Sequence, residues 1–274
     1  MLQIRTSEAS KESRQVKKLT RKPGELNSAW LARAGVEPGD MLLLGGANLT
    51  HFRLRAAQAD IRRDLLPSAW SHIVLVDAAA GAKDWRVWEV SLECRDDVHL
   101  VPKSNGVREI LLSAYDDPRD FPNIARLRVP QKSDTAAEGK LADHVGKFRM
   151  ERLSLNIPAL MVEWYGWVWG APEKGNPLVR SMGIPAAVFV ESVYALMGIE
   201  LTPGLASQSS CPEAIWQSAR WWHEFYATQA SLCDPLEGVY CVDQPEAAVL
   251  DARSESEGKR VRTSLYTGAS RRRR

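Results

Sequence analysis

Short apolar runs separated by turn residues dominate the first half of the chain. Residues 41–44 are all apolar and follow a Pro-Gly-Asp turn at residues 38–40, a pattern typical of a buried strand. Residues 70–76, 86–92 and 124–129 are rich in β-branched and aromatic side chains, and each run predicts another strand. The four runs together predict a small, largely antiparallel sheet.

Helical periodicity becomes the main pattern in the second half. It predicts helices at residues 26–34, 53–66, 107–114, 135–153, 186–197 and 213–232. Because strands dominate first and helices afterwards, this order predicts an α+β fold. No internal repeat or Gly/Ser-rich linker divides the chain. We therefore expect one domain at residues 25–232, between a basic arm at residues 1–24 and an extension with a basic tail at residues 233–274.

Charge is distributed unevenly along the chain. Residues 1–24 carry a net charge of +5 and residues 252–274 carry +6, so the body between them carries −9 of the total of +2. Proteins that bind nucleic acids usually place positive charge on the folded surface that contacts the phosphates. We therefore predict that the folded body does not bind nucleic acid, and we interpret the two basic ends as solvated tails.

The sequence lacks the signals of a membrane or exported protein. Its longest nearly apolar stretch, residues 157–170, is interrupted by Glu163 and is shorter than the roughly 20 residues that a membrane helix needs. The first residues are polar and charged where a signal peptide has an apolar region. We expect no membrane span, and we expect the protein to be cytoplasmic as synthesised.

Metal and cofactor signatures are also missing from the sequence. It contains no G-x-G-x-x-G, Walker A, G-x-S-x-G or H-E-x-x-H motif. The four cysteines are far apart and form no C-x-x-C pair, which favours reduced thiols over a zinc site. We therefore predict that the protein uses no metal ion and no organic cofactor.

One histidine and one glutamate carry the candidate chemistry. His72 opens an apolar strand and Glu89 lies within the next predicted strand. Facing residues of adjacent strands are roughly 5 Å apart, so these two side chains can form a hydrogen bond if the register is right. A carboxylate on one imidazole nitrogen fixes the tautomer and leaves the other nitrogen free to act as a base.

An ordered set of short motifs surrounds this pair. The chain contains Gly39-Asp40 before a strand, Ser71-His72 before another, Glu89, Gly106-Val107 and the strand segment at residues 125–128, followed by a helical half. This order resembles the circularly permuted papain-like NlpC/P60 hydrolases of the YaeF/YiiX type over about residues 36–215. The resemblance implies a permuted papain-like fold in which a small antiparallel sheet packs on the helical half.

The resemblance also implies a nucleophilic cysteine at the start of a later helix, where this chain has Ala186. Under this alignment His72 is the base, Glu89 orients it and residue 186 is the nucleophile position. Alanine there fits either a deliberate Cys→Ala change or a natural protein that keeps the fold for binding. We favour the first explanation because the two partners of the missing cysteine remain. Cys211 is a rival nucleophile, but it precedes Pro212 and fits a helix start.

Several further residues are candidates for substrate binding. Trp164 and Trp167 belong to an aromatic segment that fits either core packing or the wall of a groove, and Ser71 adjoins the base. The groove would suit an amphipathic ligand such as a muropeptide or an acyl chain.

The resemblance predicts a cysteine hydrolase acting as an amidase or endopeptidase on peptidoglycan peptides. Two alternatives remain open, a thiol acyltransferase or lipase acting on lipid acyl bonds, and a non-catalytic binding protein on the same fold. A cell-wall substrate combined with the missing export signal would require delivery by a dedicated secretion system, as for an antibacterial effector with an immunity or secretion partner.

Overall fold

The computed structural model describes residues 16–62, 64–79, 84–93, 104–129, 135–150, 156–171, 173–226 and 236–244. Within these ranges the chain forms a mixed α+β structure around one seven-stranded sheet of order β1-β7-β6-β2-β3-β4-β5. The strands are β1 (Val16–Lys18), β2 (Met41–Gly45), β3 (His72–Ala79), β4 (Trp85–Glu89), β5 (Arg108–Leu111), β6 (Asn123–Arg128) and β7 (Glu237–Val242). Every strand pair is antiparallel except β1–β7.

The described α-helices largely follow the predicted periodicity. They are α1 (Asn27–Arg33), α2 (Leu49–Ala57), α3 (Thr135–Met150), α4 (Ile157–Val168), α5 (Pro185–Leu196) and α6 (Pro212–Tyr226). Helix α2 begins earlier and ends earlier than predicted because Asn48 caps its start, accepting a hydrogen bond from the His51 backbone N–H. In the part of the chain described, no helix combines the length and apolar character that a membrane crossing requires.

The sheet has two differently covered faces. Met41 and Leu43 of β2, with Ile73 and Leu75 of β3, point to one side and pack against side chains of α3, α4, α5 and α6. We call this side the helical face. The alternate residues of the same strands point to the other side, where they pack with α1, Tyr115 and Phe121. We call this second side the α1 face.

The predicted helix at residues 107–114 is wrong. This segment forms strand β5 on the outer edge of the sheet, followed by a 3₁₀ turn at Leu112–Tyr115. In β5 the side chains alternate between half-buried and exposed, and Ile110 packs against the core of the α1 face. Backbone pairing with β4 and burial of Ile110 therefore override the helical pattern of the isolated segment.

Both ends of the folded region contribute strands. Strand β7, from the part assigned to the C-terminal extension, pairs with β6, and β1, from the part assigned to the basic arm, pairs with β7. The sheet therefore includes residues on both sides of the range 25–232. Residues 1–15 and 245–274 lie outside the described part of the chain.

Candidate acid–base site

His72 and Glu89 form the predicted pair. His72 is the first residue of β3 and Glu89 is the last residue of β4, and the two strands are antiparallel neighbours. Leu75 pairs with Trp88, so Glu89 lies level with position 74 and meets His72 diagonally on the same face. His72 Nε2 is 2.8 Å from Glu89 Oε2, and both side chains are almost completely buried.

Two further side chains hold the Glu89 carboxylate. Arg108 of β5 donates to Oε1 from Nε at 2.7 Å and lies within 2.6 Å through Nη2, while the Tyr115 hydroxyl donates to Oε2. Burial alone raises the pKa of the Glu89 carboxyl, but its hydrogen bond and charge interactions with His72, the charge of Arg108 and the Tyr115 hydroxyl lower the pKa below its ordinary value. Glu89 is therefore a buried carboxylate that stays ionised.

This arrangement fixes the protonation pattern of the imidazole. An ionised carboxylate only accepts hydrogen bonds, so His72 Nε2 carries a proton toward Glu89. In the neutral ring, Nδ1 then has the free electron pair. The geometry thus presents His72 as a base whose orientation is set by an acid, as the sequence analysis predicted.

A second histidine–glutamate pair lies next to the first, and the sequence analysis did not identify it. His51 of α2 places Nε2 2.8 Å from Glu93 Oε1, and the Asn48 side-chain amide donates to the same oxygen at 2.8 Å. The centroids of the His51 and His72 rings are 6.4 Å apart. The spacing of Asn48 and His51 on a helix start was the available signal, but only the fold brings Glu93 to them.

Gly46 allows the His51 ring to occupy its position. A Cβ atom added at Gly46 would lie 2.3 Å from His51 Cδ2 and 2.4 Å from Cγ, so only glycine leaves room for the ring. The other side of the ring contacts Phe121, with centroids 5.1 Å apart. His51 is 3% exposed, and its Nδ1 is buried without a hydrogen-bond partner. The ring is therefore firmly placed and has one unused polar atom.

Ala186 does not face His72, so the expected arrangement of base and nucleophile is wrong. Ala186 is the second residue of α5, is 1% exposed and belongs to the core on the helical face. His72 pairs with Leu44, and both side chains point to the α1 face. Because successive strand residues alternate, the β3 side chains directed toward α5 are Ile73 and Leu75.

The argument for a deliberate Cys→Ala change depended on that arrangement. A thiol at position 186 would lie in an apolar core, where burial raises thiol pKa values, and His72 would not be beside it. The presence of His72 and Glu89 is therefore no reason to infer a cysteine at position 186.

The three predicted substrate-binding residues also lie away from the His72 ring. Trp164 is completely buried on the helical face and donates from Nε1 to the Gly183 carbonyl at 2.7 Å. Trp167 packs partly buried against the same core. The Ser71 hydroxyl accepts from the Gly46 N–H at 3.0 Å and donates to the Leu44 carbonyl at 3.1 Å. These side chains stabilise the fold, so their assignment to the substrate groove is wrong.

Cys211 shows the features of a structural thiol. Its Sγ accepts a hydrogen bond from the Ala214 backbone N–H at 3.4 Å, directly before α6. Burial raises the pKa of the Cys211 thiol to about 12. A thiol with so high a pKa is protonated at neutral pH and is a poor nucleophile. Cys94 and Cys233 lie outside the described residues.

No group of three or more His, Cys, Asp or Glu side chains in the described ranges is arranged to hold a metal ion. Neither a protein-family model nor a curated protein matches this chain.

Proposed function

We propose that the chain is an acid–base hydrolase that cleaves amide or ester bonds with water activated at His72. The observation that carries the proposal is the His72–Glu89 pair, in which an ionised carboxylate holds the imidazole through Nε2. Arg108 and Tyr115 fix the carboxylate, so the ring orientation does not depend on the substrate. Fixed orientation is what a general base requires before its pKa matters.

The reaction begins with water rather than with a side chain of the protein. Among the described residues, the His72 ring forms its hydrogen bond with Glu89 and with no hydroxyl or thiol. Nδ1 of His72 takes a proton from water while the oxygen attacks the carbonyl carbon. Glu89 stabilises the resulting imidazolium through its negative charge. The bond to the leaving nitrogen or oxygen then breaks, and the leaving group takes up a proton.

The substrate class is proposed from the resemblance to NlpC/P60 hydrolases of the permuted papain-like type. Peptide or amide bonds of peptidoglycan are the first choice, and lipid acyl bonds are the second. With a peptidoglycan substrate, the proposal includes delivery by a dedicated secretion system and an immunity or secretion partner. The proposed cleavage differs from the family mechanism because it needs no cysteine at position 186.

A second candidate function is ligand binding without catalysis. It is favoured by Ala186, whose methyl group is packed in the core of a helix start that resembles the nucleophile position of the family. Under this alternative the His72–Glu89 pair recognises a polar group of the ligand. Turnover separates the two candidates, because a binding protein leaves the ligand unchanged.

The test is a hydrolysis screen with matched histidine variants. The purified chain is incubated with 4-nitrophenyl acyl esters, ethyl esters, N-acyl amino acid amides and peptidoglycan fragments, and products are identified by mass spectrometry. His72→Gln should lower turnover by ~10²-fold or more, the usual contribution of a general base. His144→Gln on α3 is the control and should retain the parent rate. Binding of a substrate without turnover by the parent chain would support the second candidate instead.

A further inference from the structure

We infer that His51 is the general acid that protonates the leaving group, so that the site works with two histidines. This inference rests on the proposed function and adds a second residue to it. His51 and His72 each bind a glutamate through Nε2, and their ring centroids are 6.4 Å apart. Two imidazoles at this separation can reach different atoms of one scissile bond.

The buried Nδ1 atom of His51 is the observation that points to a ligand. Glu93 is bound at Nε2, so Nδ1 is the ring atom left for contact with a substrate. A buried polar atom without a partner is unfavourable by about 1–3 kcal/mol, and proteins retain such atoms mainly where a ligand or water completes them. Gly46 on one side and Phe121 on the other keep the ring from turning away.

Position decides which histidine acts on which atom. The partner of His72 is Glu89, whose side chain is completely buried, whereas the Glu93 side chain is 12% exposed and its hydrogen bond to Asn48 lies at the surface. The leaving group has to depart to solvent, and the open side of the site is the His51 side. His72 is therefore next to the attacking water, and His51 is next to the leaving group.

The protons balance over one turnover. Water gives one proton to Nδ1 of His72 and its oxygen forms a bond to the carbonyl carbon. The carbon–nitrogen or carbon–oxygen bond breaks, and Nδ1–H of protonated His51 supplies the proton that the leaving group needs. The products are a carboxylic acid and an amine or alcohol. Transfer of the proton from His72 to His51 through solvent restores the starting state.

The test compares two esters that share an acyl group but differ in leaving group. Ethanol is a poor leaving group that needs a proton, whereas 4-nitrophenolate leaves without one. His51→Gln should lower kcat/KM for the ethyl ester by ~10²-fold and for the 4-nitrophenyl ester by less than about threefold. His72→Gln should lower both by similar factors. Glu93→Gln, which keeps the histidine but removes its carboxylate, is the second variant and should follow the pattern of His51→Gln.

Equal losses on both esters for His51→Gln in a folded protein would overturn the inference while leaving the proposed function intact. A leaving-group effect confined to His72→Gln would also overturn it, because the roles would then be reversed. No turnover of either ester by the parent chain would overturn the proposed function itself. Circular dichroism and thermal unfolding of each variant confirm that the rates compare folded proteins, and His144→Gln should show parent rates on both esters.

Discussion

His72 and Glu89 meet diagonally across β3 and β4, with Nε2 2.8 Å from Oε2, on the sheet face opposite to α5. The pair is thus separated by the sheet itself from Ala186 and from the tryptophans of α4. This relationship keeps the predicted base and its acid but removes the predicted nucleophile from their side. It therefore directs the search for chemistry toward His51 and Glu93.

Removing the charge of Glu89 should strongly destabilise the fold. Glu89→Gln leaves Arg108 without its buried carboxylate partner, and loss of one member of such a pair costs ~3 kcal/mol or more. Glu109→Gln on the same edge strand is the control, because Glu109 is exposed and its loss should change stability by less than about 0.5 kcal/mol. Urea unfolding of both variants measures the difference. Similar stabilities for the two variants would contradict the buried network.

The contribution of Glu89 to stability should depend on pH in a defined direction. The pKa of Glu89 is held below the ordinary value of 4.5, so its stabilising effect is present above about pH 4.5 and is lost as pH falls through the lower folded pKa. The difference in unfolding free energy between the parent and Glu89→Gln should therefore shrink in acid.

Glu213 should show the opposite dependence. Burial raises the pKa of its carboxyl above 4.5, although Ser68 and Gln217 donate hydrogen bonds to it. Its contribution is most favourable below about pH 4.5 and falls as pH rises through the folded pKa. Unfolding of the parent and Glu213→Gln from pH 3 to pH 8 checks the sign. A parent that gains stability relative to Glu213→Gln over the rising limb would contradict this prediction.

Gly46→Ala should disturb the second histidine without altering any hydrogen-bonding side chain. The new Cβ would overlap the His51 ring at 2.3 Å, so the ring has to move. We expect the chemical shifts of His51 to change and the turnover of poor-leaving-group esters to fall ~10-fold or more. Gly175→Ala is the matched control, because nothing lies within 4 Å of a Cβ at that position. An unchanged His51 signal in Gly46→Ala would show that the ring does not occupy this position.

Ala186→Cys should produce an unreactive thiol. The side chain at position 186 is buried in the core, and an added sulfur there costs about 1–3 kcal/mol through overpacking. Iodoacetamide should alkylate this thiol no faster than Cys211 at pH 6, as measured by peptide mass spectrometry. Rapid alkylation at pH 6 that disappears when His72→Ala is added would place the thiol beside the base and restore the papain-like arrangement.

The sequence predicted the strand positions well because local patterns determine them. The runs at residues 41–44, 70–76 and 124–129 combine apolar character with flanking turns, and each forms a strand within a few residues of the predicted bounds. The pairing of His72 with Glu89 was also predictable, since consecutive strands of an antiparallel sheet are usually neighbours.

The face on which each residue lies could not be predicted from these patterns. β3 is apolar on both sides, so its sequence contains no alternation that shows whether His72 or Ile73 points toward the helices. The second pair depends on a contact over 42 residues between His51 and Glu93, which no local pattern records. Strand β5 was missed because edge pairing, rather than its own periodicity, determines its conformation.

The account's central claim is that water activated at His72, rather than a side chain of the protein, attacks the carbonyl carbon. Rapid mixing of the parent chain with a 4-nitrophenyl ester, followed by acid quench and intact-mass measurement, tests it most directly. We predict linear release of 4-nitrophenolate from the first turnover and no acylated protein that forms and decays with turnover. A stoichiometric burst with a transient acyl adduct on a serine or cysteine side chain would contradict the claim.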